Sequence, residues 1–368
     1  MRNKTPVVFL ACTGLGRINR GYESFSRECF NALKDESSFT MYLLKGGGEN
    51  AKQEITIPNI YRRSFLAKFV NKLFGIEEYI TEQFTFFLSL IPLIILKKPS
   101  IFYYSDFILG TYLWNLRDKF KFKYKLLFTN GASYEPPFSR MDHVQQLLPL
   151  NVDLAKKKGC SEEMQTVLPL GFNINVDERL NELNNRDNAR KQLGITDDQK
   201  IVLSVCAVNK QKRVSYLIKE IEKLPINYFL IVLGQVENES NEIINLANEK
   251  IPGRYSFKNV PMEEVKYFYL AADYFVLAAI KEGFGRVIIE AMSYGLTCIV
   301  HDNLHFRQLC GKNANYINME EEGALFNLLI SNNFYIDRNA QILGSFQAYS
   351  WEVLKQKYIE MILSIIKS

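Results

Sequence analysis

The stretch that decides the fold reads Lys281-Glu282-Gly283-Phe284-Gly285-Arg286-Val287-Ile288-Ile289-Glu290-Ala291-Met292-Ser293-Tyr294-Gly295. A carboxylate at Glu282 precedes a Gly-Phe-Gly turn, an apolar helix is predicted next, and Glu290 supplies a second carboxylate inside it. The glycines leave backbone N–H groups accessible at the helix start, where the helix dipole favours a phosphate. The pattern therefore predicts a diphosphate between two carboxylates, which suggests a sugar nucleotide. The alternative is a surface turn before an ordinary helix with two solvated glutamates.

Composition indicates a soluble two-domain protein. The chain has 368 residues, which is long for one core, and its 47% hydrophobic and 23% charged residues are ordinary values. Its six cysteines show no metal-binding spacing and several lie in apolar runs, which favours reduced thiols in the cytoplasm. The N-terminus is typical of a first strand and not of a signal peptide. We therefore expect a cytoplasmic protein.

Net charge is distributed unevenly. Residues 1–170 hold 23 Lys+Arg and 16 Asp+Glu, a net of +7, so the remaining 22 Lys+Arg and 24 Asp+Glu give −2 of the total +5. The first half is thus expected to meet something anionic, although many solvated surfaces have the same balance.

Short apolar runs alternate with helical patterns along the whole chain, which predicts α/β domains with parallel sheets covered on both faces. Strands are expected at Val7–Cys12, Met41–Leu44, Ile101–Tyr104, Lys125–Thr129 and Thr166–Leu168, and again at Ile201–Cys206, Phe229–Leu233, Tyr274–Leu277 and Thr297–Val300. We predict two Rossmann-like domains, 1–172 and 173–349, facing each other across a central cleft. A C-terminal helix at about 350–368 is expected to pack back on the first domain.

Two further loops are candidate anion sites. Gly14-Leu15-Gly16 follows the first strand, but Asn19 stands where a dinucleotide fingerprint needs a third glycine, so NAD binding is disfavoured and a phosphate or acceptor near Gly16 is considered instead. Lys210-Gln211-Lys212-Arg213 separates a strand from a helix, where it can neutralise a diphosphate. A solvated helix start is the alternative for this basic cluster.

Histidine and acidic residues give no metal site. The three histidines show no ligand spacing, and no Asp-x-Asp motif is present. His143 is a candidate catalytic group, with a purely structural role as the alternative. Charge on a leaving group would then be handled by Lys212, its neighbours and the helix N-terminus, with no metal and no cofactor.

The motif at Glu282–Gly295 resembles the signature of retaining glycosyltransferases of family 4, which have the two-domain GT-B fold. Further similarities cover most of the chain and are individually modest. They are Gly14–Gly16 with Arg20-Gly21-Tyr22-Glu23, Leu168-Pro169-Leu170-Gly171-Phe172-Asn173, Lys212-Arg213-Val214-Ser215-Tyr216-Leu217-Ile218, and Val260-Pro261 with Tyr269-Leu270-Ala271-Ala272-Asp273.

The resemblance implies specific roles in donor binding. Glu282 would contact hydroxyls of the donor sugar, Glu290 the ribose, and Lys212 the diphosphate. Backbone N–H groups of Phe284, Gly285, Arg286 and Val287, next to Gly283, would hold the same diphosphate, and the loop at Lys258-Asn259-Val260 would meet the base. The family usually has an arginine five or six residues before the lysine, but this chain has Ala207 and Cys206 there. Lys210 or Arg213 is expected to substitute for it.

The function that follows is a metal-independent retaining glycosyltransferase of polysaccharide or glycoconjugate biosynthesis. It would move a sugar from a nucleoside diphosphate sugar, with a preference for UDP-glucose, to a saccharide or lipid-linked acceptor; no nucleic-acid partner is expected. The implied mechanism is front-face substitution. A sugar-nucleotide epimerase of the same architecture and a sugar-nucleotide-binding subunit without turnover are the alternatives.

Two apolar segments of the first half bear on membranes. Phe84 to Leu96 spans about 13 residues, short of the roughly 18 to 20 that cross a bilayer, so a buried helix is expected. In the segment 61–74, apolar residues recur at helical spacing beside Arg62, Arg63, Lys68 and Lys72. This pattern suits a helix lying on the cytoplasmic face of an anionic membrane, near a lipid-linked acceptor. The alternative is a helix whose apolar stripe packs on the sheet.

Overall fold

The structure, a computed structural model, describes residues 5–18, 20–131, 134–236, 240–334 and 337–368. The chain divides into two compact units. The first contains Met1–Asn173 and Trp351–Ser368, and the second contains Ile174–Ser350.

In the described part of the first unit, seven parallel strands form a sheet in the order β3-β2-β1-β4-β5-β6-β7. The strands are β1 (Val7–Cys12), β2 (Thr40–Lys45), β3 (Glu54–Thr56), β4 (Ile101–Tyr104), β5 (Lys125–Thr129), β6 (His143–Gln146) and β7 (Gln165–Val167). The helices are α1 (Gly21–Leu33), α2 (Phe65–Phe74), α3 (Glu78–Lys97), α4 (Phe107–Phe120) and α5 (Pro149–Lys157). Every residue of β4 is buried, as expected for a central strand with helices on both faces.

In the described part of the second unit, six parallel strands follow the order β10-β9-β8-β11-β12-β13. The strands are β8 (Lys200–Val205), β9 (Tyr228–Leu233), β10 (Tyr255–Lys258), β11 (Tyr274–Leu277), β12 (Thr297–His301) and β13 (Asn315–Ile317). The helices are α6 (Val176–Glu182), α7 (Arg186–Leu193), α8 (Val214–Glu222), α9 (Asn241–Lys250), α10 (Val265–Ala271), α11 (Arg286–Ser293), α12 (Leu304–Cys310), α13 (Ala324–Ser331) and α14 (Arg338–Tyr349).

The last helix, α15 (Trp351–Lys367), belongs to the first unit. The Trp351 ring stacks on Phe25 of α1 with ring centroids 6.0 Å apart. The Tyr358 hydroxyl donates to the Pro169 carbonyl at 2.7 Å and accepts from Gln145 of β6 at 2.9 Å. The C-terminal helix is thus held by packing and by hydrogen bonds to the sheet.

The predicted α/β architecture of two parallel sheets is confirmed. Four strands, β3, β6, β10 and β13, were not predicted by the sequence analysis. Three of them are largely half-buried, so none shows the continuous apolar run of a central strand, and β6 is buried but polar.

Helix α3 is longer than the apolar run at 84–96. In the described part of the chain it is the one helix that is long and apolar enough to cross a membrane, by length and composition alone. Its first turns bury Thr81, Glu82 and Gln83, and Gln83 accepts a hydrogen bond from Thr13 at 3.0 Å. The expected buried helix is therefore buried on one face and exposed on the other.

Candidate functional site

The second sheet changes direction between β8 and β11. From β8 the chain proceeds outward through β9 and β10, and from β11 it proceeds to β12 and β13 on the other side. Loops that leave two such neighbouring strands diverge and open a crevice at the carboxyl edge of the sheet, where ligands bind in open α/β sheets. The predicted donor residues Lys212 and Glu282 lie in these two loops.

The structure brings Lys212 and Glu282 into direct contact. The Lys212 Nζ lies 2.7 Å from Oε2 and 3.0 Å from Oε1 of Glu282, although 70 residues separate them in the sequence. Their side chains are 21% and 17% exposed, so both charges are partly withdrawn from water but accessible from one side. The Lys212 backbone N–H donates to Asn209 Oδ1 at 3.0 Å, which shapes the loop that carries the lysine. A cation and a carboxylate thus face the crevice together.

The glycine turn leads into α11 as the sequence predicts. Gly285 has a φ of +95°, a left-handed conformation that favours glycine, and it precedes the first helical residue, Arg286. The Phe284 ring is buried and packs edge-on against Tyr349 with ring centroids 6.0 Å apart. This packing holds the turn in place. The first backbone N–H groups of α11, at Arg286 and Val287, point out of the positive end of the helix.

Glu290 is held in place by two neighbours. Its Oε2 accepts a hydrogen bond from the Tyr269 hydroxyl of α10 at 3.2 Å, and its Oε1 lies 3.9 Å from Arg286 Nε. Burial, followed by the charge of Glu290, raises the pKa of Tyr269 well above its ordinary value, so the phenol stays a proton donor. The Glu290 side chain is 25% exposed and can accept further hydrogen bonds.

The other two cations of the basic cluster point elsewhere. Lys210 forms an exposed ion pair with Glu242, Nζ to Oε2 3.0 Å, and the Arg213 guanidinium donates to the Met319 carbonyl at 2.7 Å. Arg213 also has a left-handed φ of +55° where α8 begins. The expectation that one of them supplies a second phosphate cation is not supported, because each already binds a partner away from Glu282.

The predicted base-binding loop also lies at the carboxyl edge of the second sheet. Asn259 is exposed and Val260 half-buried, directly after β10. The carbonyl of Lys258 accepts from the Gly234 N–H at 2.8 Å, which fixes the end of β10 against the loop after β9.

Gly16 lies in the first unit, in the loop after β1. Its φ is +88°, and an added Cβ would lie 2.2 Å from the Gly47 carbonyl oxygen, so two glycine loops pack backbone to backbone there. Asn19, which breaks the dinucleotide fingerprint, lies outside the described residues.

His143 lies within a strand of the first sheet, and its catalytic role stays a prediction. It lies inside the sheet as the first residue of β6, opposite Leu127 of β5, and not in a loop at the carboxyl edge. Its ring is buried, its Nε2 forms a 2.8 Å hydrogen bond with Thr166 Oγ1, and burial lowers its pKa. The structural alternative is therefore the better account of His143.

Sequence reasoning missed two residues that shape the glycine turn. The Nε2 of His305 lies 3.2 Å from the Phe284 carbonyl, which can only accept, so this nitrogen carries the proton. Burial lowers the pKa of His305, partly offset by the Phe284 carbonyl and Glu282, so its neutral form is favoured. Asn303 caps α12 and donates to the Ile280 carbonyl at 2.9 Å. Their position directly after the predicted strand Thr297–Val300 could have indicated them, because this strand, β12, is the neighbour of β11 in the sheet.

A polar cluster at the corresponding edge of the first sheet was missed as well. Asp106 follows β4, caps α4 and accepts a hydrogen bond from the Tyr79 hydroxyl. Arg62 lies over the Tyr79 ring, 4.5 Å from its centroid, and forms an ion pair with the fully buried Glu82. Burial raises the pKa of Asp106. These residues come from three separate segments, so no local pattern in the sequence could group them.

Among the described residues, no three histidine, cysteine, aspartate or glutamate side chains are grouped so that they could hold a metal ion.

The comparison with known families falls on the second unit. Residues 185–326 match the sequence model of the family described as Glycosyl transferases group 1. This span includes Lys212, Glu282 and Glu290. Residues 185–326 are thus similar to a glycosyl transferases group 1 domain.

Relatives of this group 1 domain match over part of their length. TuaC of Bacillus subtilis strain 168, named for teichuronic acid biosynthesis, is 26% identical over 152 residues, which are 41% of this chain and 37% of TuaC. The N-acetyl-alpha-D-glucosaminyl L-malate synthase of Bacillus anthracis is 26% identical over 141 residues, 38% of this chain and 35% of the synthase. The chain thus spans little more than a third of the length of these relatives.

Solved structures share the fold of this chain over nearly its whole length. The sucrose-phosphate synthase of Thermosynechococcus elongatus superposes with a TM-score of 0.77 at 17% identity, covering 98% of this chain and 99% of the synthase. HepE of Anabaena, solved with UDP and glucose, has a TM-score of 0.73 at 13% identity and covers 98% and 100%. The fold is therefore GT-B, as the resemblance implied.

Proposed function

We propose that this protein is a retaining glycosyltransferase that moves a sugar from a nucleoside diphosphate sugar to a saccharide or lipid-linked saccharide acceptor. The observation that carries the proposal is the contact between Lys212 and Glu282 at the strand reversal of a group 1 domain. A lysine and a carboxylate beside a helix N-terminus match the three needs of such a donor. These are a cation for the diphosphate, an acceptor for sugar hydroxyls, and backbone N–H groups for phosphate oxygens.

The proposed chemistry is front-face substitution at the anomeric carbon. The bond to the diphosphate breaks, the acceptor hydroxyl attacks from the same face, and its proton goes to the departing phosphate oxygen. Lys212 and the α11 N-terminus neutralise charge on the leaving group, and Glu282 holds the sugar as its ring gains positive charge. Each contribution comes from this chain, so we propose that the reaction needs no metal.

UDP-glucose is the donor we favour. HepE of Anabaena, which shares the fold at 13% identity, has been solved with UDP-glucose, and this supports testing it first. Glu290, fixed by Tyr269, would accept hydrogen bonds from the ribose hydroxyls. We propose a role in polysaccharide or glycoconjugate biosynthesis at the cytoplasmic side of the membrane, where the six free cysteines would stay reduced.

A second candidate is a sugar-nucleotide-binding subunit without turnover. Cys206 and Ala207 stand where the family pattern has an arginine, and Lys210 and Arg213 bind other partners. This would weaken stabilisation of the leaving group while leaving donor binding intact.

The test is acceptor-dependent release of UDP from UDP-glucose, measured in EDTA with a panel of free and lipid-linked saccharides. Glu282→Gln keeps the shape of the side chain but removes its charge, so we expect turnover to fall about 30- to 1,000-fold, the effect of losing about 2–4 kcal/mol of transition-state stabilisation. Glu249→Gln, an exposed glutamate on α9, is the matched control and should be unchanged.

Three outcomes would contradict the proposal. Near-normal turnover of a folded Glu282→Gln protein would remove Glu282 from the site. Nucleotide-sugar binding without UDP release under any acceptor would favour the binding subunit. Activity restored only when EDTA is replaced by Mg²⁺ or Mn²⁺ would disprove the metal-independent mechanism.

A further inference from the structure

We propose that α2 docks the first unit on an anionic lipid bilayer through an exposed stripe of apolar side chains. The stripe consists of Phe65, Leu66, Phe69 and Leu73, which are 80%, 58%, 52% and 59% exposed. These are large apolar side chains on one short helix, and such a patch on a soluble protein marks an interaction surface. The proposal does not depend on the transfer activity proposed above.

The alternative of a core helix is contradicted by the packing of α2. Within this helix, all of whose residues the structure describes, only Ala67 is buried. At 100° per residue, Ala67 lies opposite the direction between Phe65 and Phe69, so the helix rests on alanine and turns these two phenylalanines outward. The two phenyl rings stack with centroids 6.5 Å apart.

The helix is stabilised by its own ends more than by burial. The Ser64 hydroxyl accepts from the Ala67 N–H at 3.2 Å, and Gly75 ends the helix in a left-handed conformation with its N–H bonded to the Asn71 carbonyl at 2.8 Å. Such caps stabilise a helix that has few core contacts. The exposed stripe therefore keeps a defined helical geometry.

The charges around the stripe favour an anionic bilayer as its binding partner. No aspartate or glutamate occurs from Ile55 to Ile76, whereas Arg62, Arg63, Lys68 and Lys72 lie in that segment. Arg62 is used by Glu82, but Lys68 and Lys72 are exposed and project beside the phenylalanines on the same helix. An apolar face flanked by lysines matches the surface of a bilayer. The apolar side chains can enter the hydrocarbon, and the lysine stems are long enough for the ammonium groups to reach the phosphate headgroups. A second copy of the chain would bring lysine against lysine.

The next helix adds apolar surface. Helix α3 contacts α2 and exposes Phe84, Leu88 and Ile95, which recur at helical spacing. Its exposed face from Phe84 to Leu96 carries no charged residue. An apolar surface that extends beyond α2 would strengthen insertion into the interface.

The experiment is co-sedimentation of the full chain with vesicles of phosphatidylcholine mixed with phosphatidylglycerol. We expect the wild type to sediment with these vesicles and much less with pure phosphatidylcholine. Lys68→Glu/Lys72→Glu should weaken binding at least about 30-fold, since each basic group near an anionic surface contributes about 1 kcal/mol. The matched control is Lys355→Glu/Lys357→Glu, which removes the same charge from exposed positions of α15 in the same unit and should bind far better.

A second pair of variants tests the apolar stripe. Phe65→Ser/Phe69→Ser should abolish sedimentation, whereas Ile226→Ser/Leu343→Ser, at exposed apolar positions of the second unit, should not. Far-UV circular dichroism checks that every variant is folded. The proposal is overturned if the wild type stays in the supernatant, or if both α2 variants sediment like the wild type at low salt. It is also overturned if the stripe variants instead convert a dimer to a monomer in size-exclusion chromatography, because the stripe would then be a protein interface.

Discussion

At the scale of single residues, the candidate site is a set of charges held by specific neighbours. Lys212 contacts Glu282, Tyr269 contacts Glu290, and His305 contacts the Phe284 carbonyl. Each functional side chain comes from one loop or helix and its partner from another. A substitution at a neighbour that positions a functional side chain should therefore reduce activity or binding less than a substitution at the functional side chain itself.

Glu290 allows a direct test of this view. We expect Glu290→Ala to weaken UDP binding about 10- to 100-fold, because hydrogen bonds to a charged group contribute about 1.5–3 kcal/mol. Tyr269→Phe removes only the hydroxyl that positions Glu290, so its effect should be smaller. Isothermal titration calorimetry with UDP measures both, with Glu249→Ala on the exposed face of α9 as control. Unchanged affinity for Glu290→Ala would mean that this glutamate is simply a helix residue.

At the scale of elements, the start of α11 depends on the backbone of Gly285. Alanine at a left-handed position costs roughly 1–2 kcal/mol, and an added Cβ would lie 3.0 Å from Ile288 Cδ1 and 3.1 Å from Leu309 Cδ2. We expect Gly285→Ala to destabilise the fold by at least about that strain and also to displace the amides that we propose face the diphosphate.

The matched control is Gly194→Ala, at a second left-handed glycine of the same unit. Gly194 has a φ of +69°, ends α7, and has no heavy atom within 4 Å of an added Cβ. Urea denaturation should show a loss of stability for both variants, larger for Gly285→Ala because its Cβ also meets Ile288 and Leu309, whereas UDP affinity should fall only for Gly285→Ala. Equal affinities would show that the turn before α11 does not bind the nucleotide.

At the scale of the whole molecule, each unit contains a histidine whose pKa is lowered by burial of its ring, the buried His143 in the first and the half-buried His305 in the second. A lowered pKa in the folded state means that the unfolded chain takes up the proton first as the pH falls. The stabilising effect is therefore present above about pH 6.5, the unfolded value, and is lost at lower pH. Each histidine should therefore lower the free energy of unfolding as the pH falls from about 7.5 to 5.5.

Fluorescence separates the two units, because both tryptophans, Trp114 and Trp351, lie in the first. We expect His143→Gln to reduce the pH dependence of the urea midpoint followed by tryptophan fluorescence, and His305→Gln to leave it unchanged. The comparison with wild type is needed because Asp106, whose pKa is raised by burial, acts in the opposite sense at lower pH. A pH dependence that is the same in wild type and His143→Gln would contradict the assignment.

The sequence by itself determined the architecture, whereas the donor-site residues that it indicates stay predictions. Strands such as Ile101–Tyr104, Lys125–Thr129 and Tyr274–Leu277 were predicted with the bounds that the structure has, since their apolar runs are local and buried on both faces. The Gly-Phe-Gly turn before α11 was predictable for the same reason, because glycine and helix signals act over a few residues.

Only the tertiary structure decided which side chains meet. Lys212 and Glu282 are adjacent because β8 and β11 are neighbours in the sheet, and strand order depends on packing between segments that are far apart in the chain. Contacts between distant segments also pair Lys210 and Arg213 with residues other than Glu282 and place His143 within the sheet. In the first unit they bring Arg62, Tyr79 and Glu82 together. Tertiary packing also turned the stripe of α2 outward, since periodicity shows that a helix has an apolar face but not what covers that face.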